Sequence, residues 1–305
     1  MSYREERKFL IENLQISEHT GVDFSDYTSE KDLKKLCRET LDAGMHGICF
    51  SMYEDGQEPG DTITEEQVER RVKILKTYTK WIRSFSCIEG NENIPRIAKK
   101  HGMKNLVGAW LGDDMEKNEE EIAGLIQLAK EGCVDIAAVG NEVMYRKDLT
   151  EQQLIDYIWR VKDSLKDLDI PIGYVDAYYE FSHRPAITNS CDVILANCYP
   201  YWEGCSIEHS LAHMQQMFSQ ASHAANGKKV IITETGWPSQ GSSLGGAHSN
   251  AENTMKYFIN TQAWYAKDDI EVFYFSSFDE SWKVGAEGDV GAYWGLWDKN
   301  ENLKF

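Results

Sequence analysis

Two glutamates stand where an apolar segment gives way to a turn. Glu234 follows an apolar run and precedes Gly-Trp-Pro in KKVIITETGWPSQG (228–241), and Glu142 ends DIAAVGNE (135–142). Asp176 lies near the close of a third run, IPIGYVDAY (170–178), and Asp279 and Glu280 close a fourth, EVFYFSSFDE (271–280). An acid at a strand end is ordinarily solvated or paired with a lysine. Two glutamates that each end an apolar run are a candidate reactive pair instead. Facing carboxylates suit cleavage of a glycosidic bond: one holds a proton for the leaving oxygen, and the other stays ionised to meet the oxocarbenium-like centre. Retaining enzymes set the two about 5–5.5 Å apart and pass through a covalent glycosyl-enzyme. Asn141, beside Glu142, suits a sugar hydroxyl next to the reacting carbon. Tyr199 can donate to Glu234 and keep it ionised.

Such residues need elements that converge. After the first 45 residues a short apolar run alternates with a longer amphipathic stretch. The runs are HGICFSMY (46–53), WIRSFSC (81–87), KNLVGAWL (104–111), DIAAVGNE (135–142), IPIGYVDAY (170–178), CDVILANCYP (191–200), KVIITETGWP (229–238) and EVFYFSSFDE (271–280). Helical patterns fall at 65–79, 118–132 and 150–165, the last with Thr150 as its N-cap. Eight β-then-α units with near-continuously apolar strands predict a parallel sheet covered on its outer face, closed as a single (β/α)8 TIM barrel over 46–305. Residues 1–45, with a helical pattern at 30–43, are expected as a charged segment and helix packed on that barrel. A doubly wound open sheet is the alternative, but it usually has fewer strands, and no glycine-rich phosphate fingerprint is present. In a TIM barrel, chemistry sits at the C-terminal ends of the strands. A ring of acids at that rim is expected.

Composition narrows the ligand. Lys plus Arg number 32 against 50 Asp plus Glu, a net charge of −18 with neutral histidines. That field repels phosphate backbones, so no nucleic-acid partner is expected. With 9 Trp, 15 Tyr and 11 Phe, flat aromatic faces are plentiful, which suits a neutral polyhydroxylated ligand as well as core packing. No run approaches the roughly 18 apolar residues of a membrane helix. The opening MSYREERKFL has no signal-peptide core. Location therefore stays open between the cytoplasm and an exported protein or module given without its signal. The seven cysteines have no framework spacing and are read as reduced and mostly structural. A monomer is expected.

KVIITETGWPS resembles the signature of glycoside hydrolase family seventeen, the β-1,3-glucanases and their glucan-transferring relatives. The resemblance extends to VGNE (139–142), NCYPYW (197–202) and FDESWK (278–283), in the family's order, and covers the chain from about residue 46 onward. It implies that Glu142 is the general acid/base and Glu234 the nucleophile, with retention of configuration. It also implies that Asn141, Tyr199, Glu280 and Lys283 support them. Where the plant enzymes carry Arg-x-Tyr on the second strand, this chain has Arg83-Ser84-Phe85, so Arg83 is kept as a supporting candidate and no hydroxyl follows it.

Other candidates have two readings each. Trp237 is either a sugar platform at the rim or a buried Trp bracing the loop with Pro238. Tyr201, Trp202 and Trp282 follow strand ends and are expected on the functional side, as are Trp110 and Tyr53; each either stacks on sugar or buries area. Asp176 belongs to the expected acidic rim. The Gly/Ser-rich 239–250 is a flexible loop or a cleft wall. His209 and His213, at i and i+4, could bind a metal, but lack a third ligand nearby and are read as a surface pair. EKNEEE (116–121) is read as a solvated helix start. No metal or cofactor is expected. The reading is a retaining, endo-acting β-1,3-glucan hydrolase acting on poly- or oligosaccharide, with a β-1,3-glucanosyltransferase as the alternative. A glycan-binding barrel without turnover is the rival from another class; the presence of both glutamates and Asn141 stands against it.

Overall fold

Each apolar run supplies one short strand, and the fourth, sixth and eighth strands are buried from end to end. The computed structural model describes residues 21–27 and 29–305; most of the expected charged N-terminal segment, residues 1–20, lies outside them. The strands are β1 (Met45–Cys49), β2 (Thr79–Ser84), β3 (Lys104–Ala109), β4 (Ile136–Asn141), β5 (Ile172–Ala177), β6 (Val193–Asn197), β7 (Val230–Thr235) and β8 (Val272–Tyr274). They pair in parallel, each with the next, and β8 closes on β1, so the sheet is a complete barrel. Closure leaves no sheet edge.

The helices α1 (Glu30–Asp42), α2 (Glu65–Leu75), α3 (Asn93–Lys100), α4 (Met115–Lys130), α5 (Glu151–Ser164), α6 (Pro185–Ser190), α7 (Ile207–Ala224) and α8 (Ala251–Asp268) form the outer layer. Their starts follow side-chain caps. Ser29, Thr64, Asp114 and Asn250 each accept a backbone N–H from the first turn, and Thr150 with Gln153 makes a full capping box. Each such cap contributes roughly 1 kcal/mol. After β8 the chain enters short helical turns (Ser281–Lys283, Val284–Glu287, Gly288–Tyr293) rather than a long helix. Helix α1 packs against α8, with Leu33, Cys37 and Leu41 buried in the same core as Phe258 and Tyr274. All seven cysteines are free and buried.

The eighth run departs from expectation. Strand β8 ends at Tyr274, five residues before Asp279. The segment between returns to β1 through Ser277 N–H on the Cys49 carbonyl (3.1 Å) and Phe278 N–H on Ser51 Oγ (3.1 Å). Asp279 is thereby turned away from the rim to Lys304 Nζ (2.9 Å) and Gly295 N–H (2.9 Å).

Candidate active site

Regularity fails at the strand tips, and that is where the polar residues gather. The register shifts between Ala138 and Asn141 on β4, between Ala196 and Asn197 on β6, and again where β7 meets β8. Shifts of this kind re-aim side chains near functional sites. On β4, Gly140 (φ 88°) and then Glu142 (φ 51°, ψ 29°) take left-handed backbone conformations. Glu142 N–H donates to the Val175 carbonyl at 2.8 Å.

Glu234 is 6% exposed, at the end of β7. Its Oε1 accepts from Arg83 Nη1 at 2.7 Å, and its Oε2 accepts from the Tyr199 hydroxyl at 2.8 Å. Arg83 comes from β2 and is buried; its Nη2 donates to Asn141 Oδ1 at 2.7 Å, and its guanidinium stacks 4.1 Å from the Phe85 ring centroid. Phe85, where the plant enzymes carry a tyrosine, gives that guanidinium an apolar ring face and no hydroxyl, as the sequence indicates. One arginine therefore joins β7 to β4.

Glu142 has a different environment. Its Oε1 accepts from Asn197 Nδ2 at 3.0 Å, and Asn197 is held by Thr233 Oγ1 at 2.9 Å. Burial pushes its carboxyl up to about 7, and the charge of Glu234 adds to that; Asn197 and Arg146 pull the other way. Two carboxyls are thus separated in character by their partners: one ion-paired and doubly hydrogen-bonded, the other with a single amide donor.

Behind Glu234, Lys283 Nζ pairs with Glu280 Oε2 at 2.8 Å and lies 4.2 Å from the Phe275 ring centroid. Glu280 Oε1 also accepts Tyr53 N–H at 3.1 Å. Burial alone would lower Lys283, but the carboxylates of Glu280, Glu287 and Glu234 outweigh it and hold the ammonium charged.

Several candidate rings occupy other places than the rim surface. Trp237 is fully buried, its Nε1–H on the His248 carbonyl at 2.9 Å and its ring against Tyr201 and Tyr257, so it braces the 239–250 loop. Tyr201 is buried too, its hydroxyl bonded to the Ser242 carbonyl (2.7 Å) and Ser249 Oγ (2.8 Å). Tyr53 is buried with its ring edge-on to Trp282. Asp176 is inaccessible to solvent and accepts from the Tyr174 hydroxyl, Ala177 N–H (2.7 Å) and Tyr145 N–H (3.3 Å). It supports the floor beneath Glu142 instead of joining an acidic rim. Trp110 and Trp202 are 41% and 40% exposed, the first beneath the Arg146 guanidinium and the second against Tyr201 and Trp294; Trp282 is half-buried. His213 is buried, its Nε2 2.6 Å from Glu203 Oε2, which corrects the surface-pair reading. Among the described residues, no group of three or more His, Cys, Asp or Glu side chains is arranged to hold a metal ion, and no helix is long and apolar enough to cross a membrane.

Sequence reasoning missed Asn197 and Glu287. Asn197 had a signal, being the polar residue that ends VILAN as Glu142 ends its own run. Glu287 had none, since it stands in a turn after β8; burial pushes it up to about 7 against the pull of Lys283.

Residues 47–295 match the BtgE/BtgC glycoside hydrolase domain. A glucan 1,3-β-glucosidase of Candida albicans is 29% identical over 265 residues, 78% of this chain and 84% of that protein. One from Saccharomyces cerevisiae is 27% identical over 264 residues, covering 78% and 83% respectively. The crystal structure of a glycoside hydrolase family 17 β-1,3-glucanosyltransferase from Rhizomucor miehei superposes with a TM-score of 0.77 at 28% identity, covering 86% of this chain and 96% of that one.

Proposed function

The chain belongs to the BtgE/BtgC glycoside hydrolases, the family-seventeen type, and from that premise we propose that it cleaves β-1,3-glucan within the chain, with retention of anomeric configuration. Glu234 attacks the anomeric carbon while Glu142 gives its proton to the departing glycosidic oxygen. The C1–O bond to the leaving sugar breaks as the ester to Glu234 forms. Glu142, now a carboxylate, then takes a proton from water. The water oxygen bonds to C1, and Glu234 departs as a carboxylate. The observation that carries this assignment is the unequal setting of the two glutamates. Arg83 and Tyr199 both donate to Glu234, as an ionised nucleophile requires, whereas Glu142 accepts from one neutral amide and its carboxyl is raised to about 7.

A fluorosugar that traps the glycosyl-enzyme should leave its mass on the peptide containing Glu234; a label elsewhere removes Glu234 from the role. Glu142→Ala should lose about 1,000-fold on glucan but far less on an aryl glycoside whose leaving group needs no proton. Equal loss on both would count against Glu142 as the acid. Because the first step needs Glu142 protonated, kcat/KM on glucan should fall as pH rises through about 7.

The likeness to the Rhizomucor glucanosyltransferase favours a second reading, in which an acceptor sugar takes the place of water in the second step. Product lengths from linear β-1,3-gluco-oligosaccharides separate the two. Only shorter products at every concentration mean hydrolysis, and products longer than the input that grow with concentration mean transfer.

A further inference from the structure

A residue with a Cβ held at φ 51°, ψ 29° sits in a conformation that costs on the order of 1 kcal/mol or more, so its neighbours must over-determine it. For Glu142 part of that work is done by backbone: its N–H is bound to Val175, and its carbonyl accepts Arg146 N–H at 2.8 Å. Tyr174 and Asp176 hold the following turn through Met144 N–H (2.9 Å) and Tyr145 N–H (3.3 Å), and the peptide before Glu142 is held by a third side chain. Arg146 Nη1 donates to the Asn141 carbonyl at 2.5 Å, gripping the peptide that leads into Glu142. Its Nη2 donates to the Leu111 carbonyl at 2.9 Å, and its Nε donates to Asp148 Oδ2 at 2.7 Å. The guanidinium lies 4.6 Å from the centroid of the exposed Trp110 ring. Leu111 and Trp110 follow β3, Asn141 ends β4, and Asp148 lies beyond the turn at 143–146. Three bonds and a ring face are satisfied at once by the planar fork, a set that an ammonium cannot reproduce.

Resting on the reading of Glu142 as the acid/base, we propose that Arg146 is a positioning residue: it fixes the peptide that aims Glu142 and ties it to the β3 tip carrying Trp110. The chemistry needs such a part. Glu142 must release a proton in one step and recover one in the next while its oxygens stay on the same line to the anomeric substituent. A displacement near 1 Å costs about 100-fold in rate.

The positive charge has a second effect, with a definite sign. Glu142 is faced by Glu234 from β7, Asp176 from β5, the Asn197 amide from β6 and Arg146 from its own turn; Arg83 reaches Asn141 and Glu234 from β2. The two carboxylates push the Glu142 carboxyl up, and Arg146 pulls it down. Removing the charge of Arg146 therefore lets it rise further, and the alkaline limb of kcat/KM moves to higher pH.

The test compares Arg146→Met, Arg146→Lys and Glu142→Gln. Each is assayed on a β-1,3-gluco-oligosaccharide and on a nitrophenyl glycoside across pH 5 to 9, with the melting temperature recorded. For Arg146→Met, kcat on the oligosaccharide should fall about 30-fold, with KM within about threefold and the limb raised by roughly half a unit to one unit. The nitrophenyl glycoside should lose no more than about threefold, because its departure needs little protonation. Arg146→Lys should keep the limb in place yet lose about tenfold in kcat, since charge remains and the fork does not. Equal loss on both substrates with an unmoved limb in Arg146→Met would make the residue merely structural and overturn the proposal. Should that variant not fold, Arg146→Lys decides: an unchanged kcat overturns the proposal. If Glu142→Gln keeps the alkaline limb, the underlying assignment of Glu142 fails, whatever Arg146 does.

Discussion

Arg83 shows how much of the site depends on a single side chain. It is 2% exposed and bonds Glu234 and Asn141 at 2.7 Å each, so its removal strands a buried carboxylate and an amide oxygen together. Breaking a buried pair from one side costs about 3–5 kcal/mol. Arg83→Met, which keeps the aliphatic stem and removes the guanidinium over Phe85, should lower kcat/KM on β-1,3-gluco-oligosaccharides at least 100-fold and reduce the melting temperature measurably. A variant with wild-type melting and wild-type turnover would mean that the pair is dispensable. At this scale the sequence was legible where a polar group interrupts an apolar run, as at Glu142 and Glu234. It was not legible for depth. Tyr201 and Trp237 follow strand ends, as they should, but position along a strand says which end of the barrel a ring reaches, not whether a loop folds over it. The 239–250 loop does fold over both, accepting the Tyr201 hydroxyl and the Trp237 Nε1–H.

At the scale of elements, the tips of β7 and β8 are held together by absence of bulk. A Cβ built on Gly236 would lie 2.0 Å from the Phe275 carbonyl oxygen, a backbone atom that cannot swing aside. Phe275 N–H in turn bonds the Thr235 carbonyl at 2.7 Å, and its ring supports Lys283. Gly236→Ala must therefore separate the two strand ends, at a cost of about 1–3 kcal/mol for overpacking. Turnover should drop with it, because Glu234 stands two residues away. Thermal unfolding measured beside a distant overpacking change, such as Gly124→Ala against Cys87, separates the effects: both lose stability, and only Gly236→Ala should lose kcat in proportion greater than its folded fraction. The count and order of strands were legible because each run is apolar on both faces. The register shifts at Ala138–Asn141 and Ala196–Asn197 were not, since a bulge leaves no compositional trace. Neither was the early end of β8, whose following residues, FSSF, carry the same apolar and hydroxyl character as the strand itself.

For the whole molecule, burial of carboxyls links stability to pH in a direction opposite to the common one. Glu142, Glu121 and Glu287 are each raised to about 7 and Asp176 to about 6, in every case chiefly by desolvation. A group whose folded pKa exceeds its unfolded value binds more protons in the folded state between the two. Its contribution is therefore complete below the unfolded value, near 4, and is lost as pH rises to about 7. The net charge of −18 acts in the same sense, because protonation relieves self-repulsion. His46 opposes it: burial lowers its pKa, so its contribution grows as pH rises toward the ordinary histidine value. Glu131, lowered to about 2 by Arg96 and Gln127, changes nothing in this window and loses its contribution only at more acid pH. Asp279 is raised by burial as well, and these five carboxyls against one histidine predict a melting temperature several degrees higher at pH 5.5 than at pH 8, with a decline below about pH 4. Calorimetry at constant ionic strength gives the slope. Glu121→Gln, a change 34 residues in sequence from Cys87, whose N–H it binds, lies away from both proposed catalytic glutamates and should flatten that slope without moving the alkaline limb of kcat/KM. A melting temperature that instead rises steadily from pH 5.5 to 8 would mean that these carboxyls ionise as readily folded as unfolded, and the raised carboxyl of Glu142 would lose its physical basis.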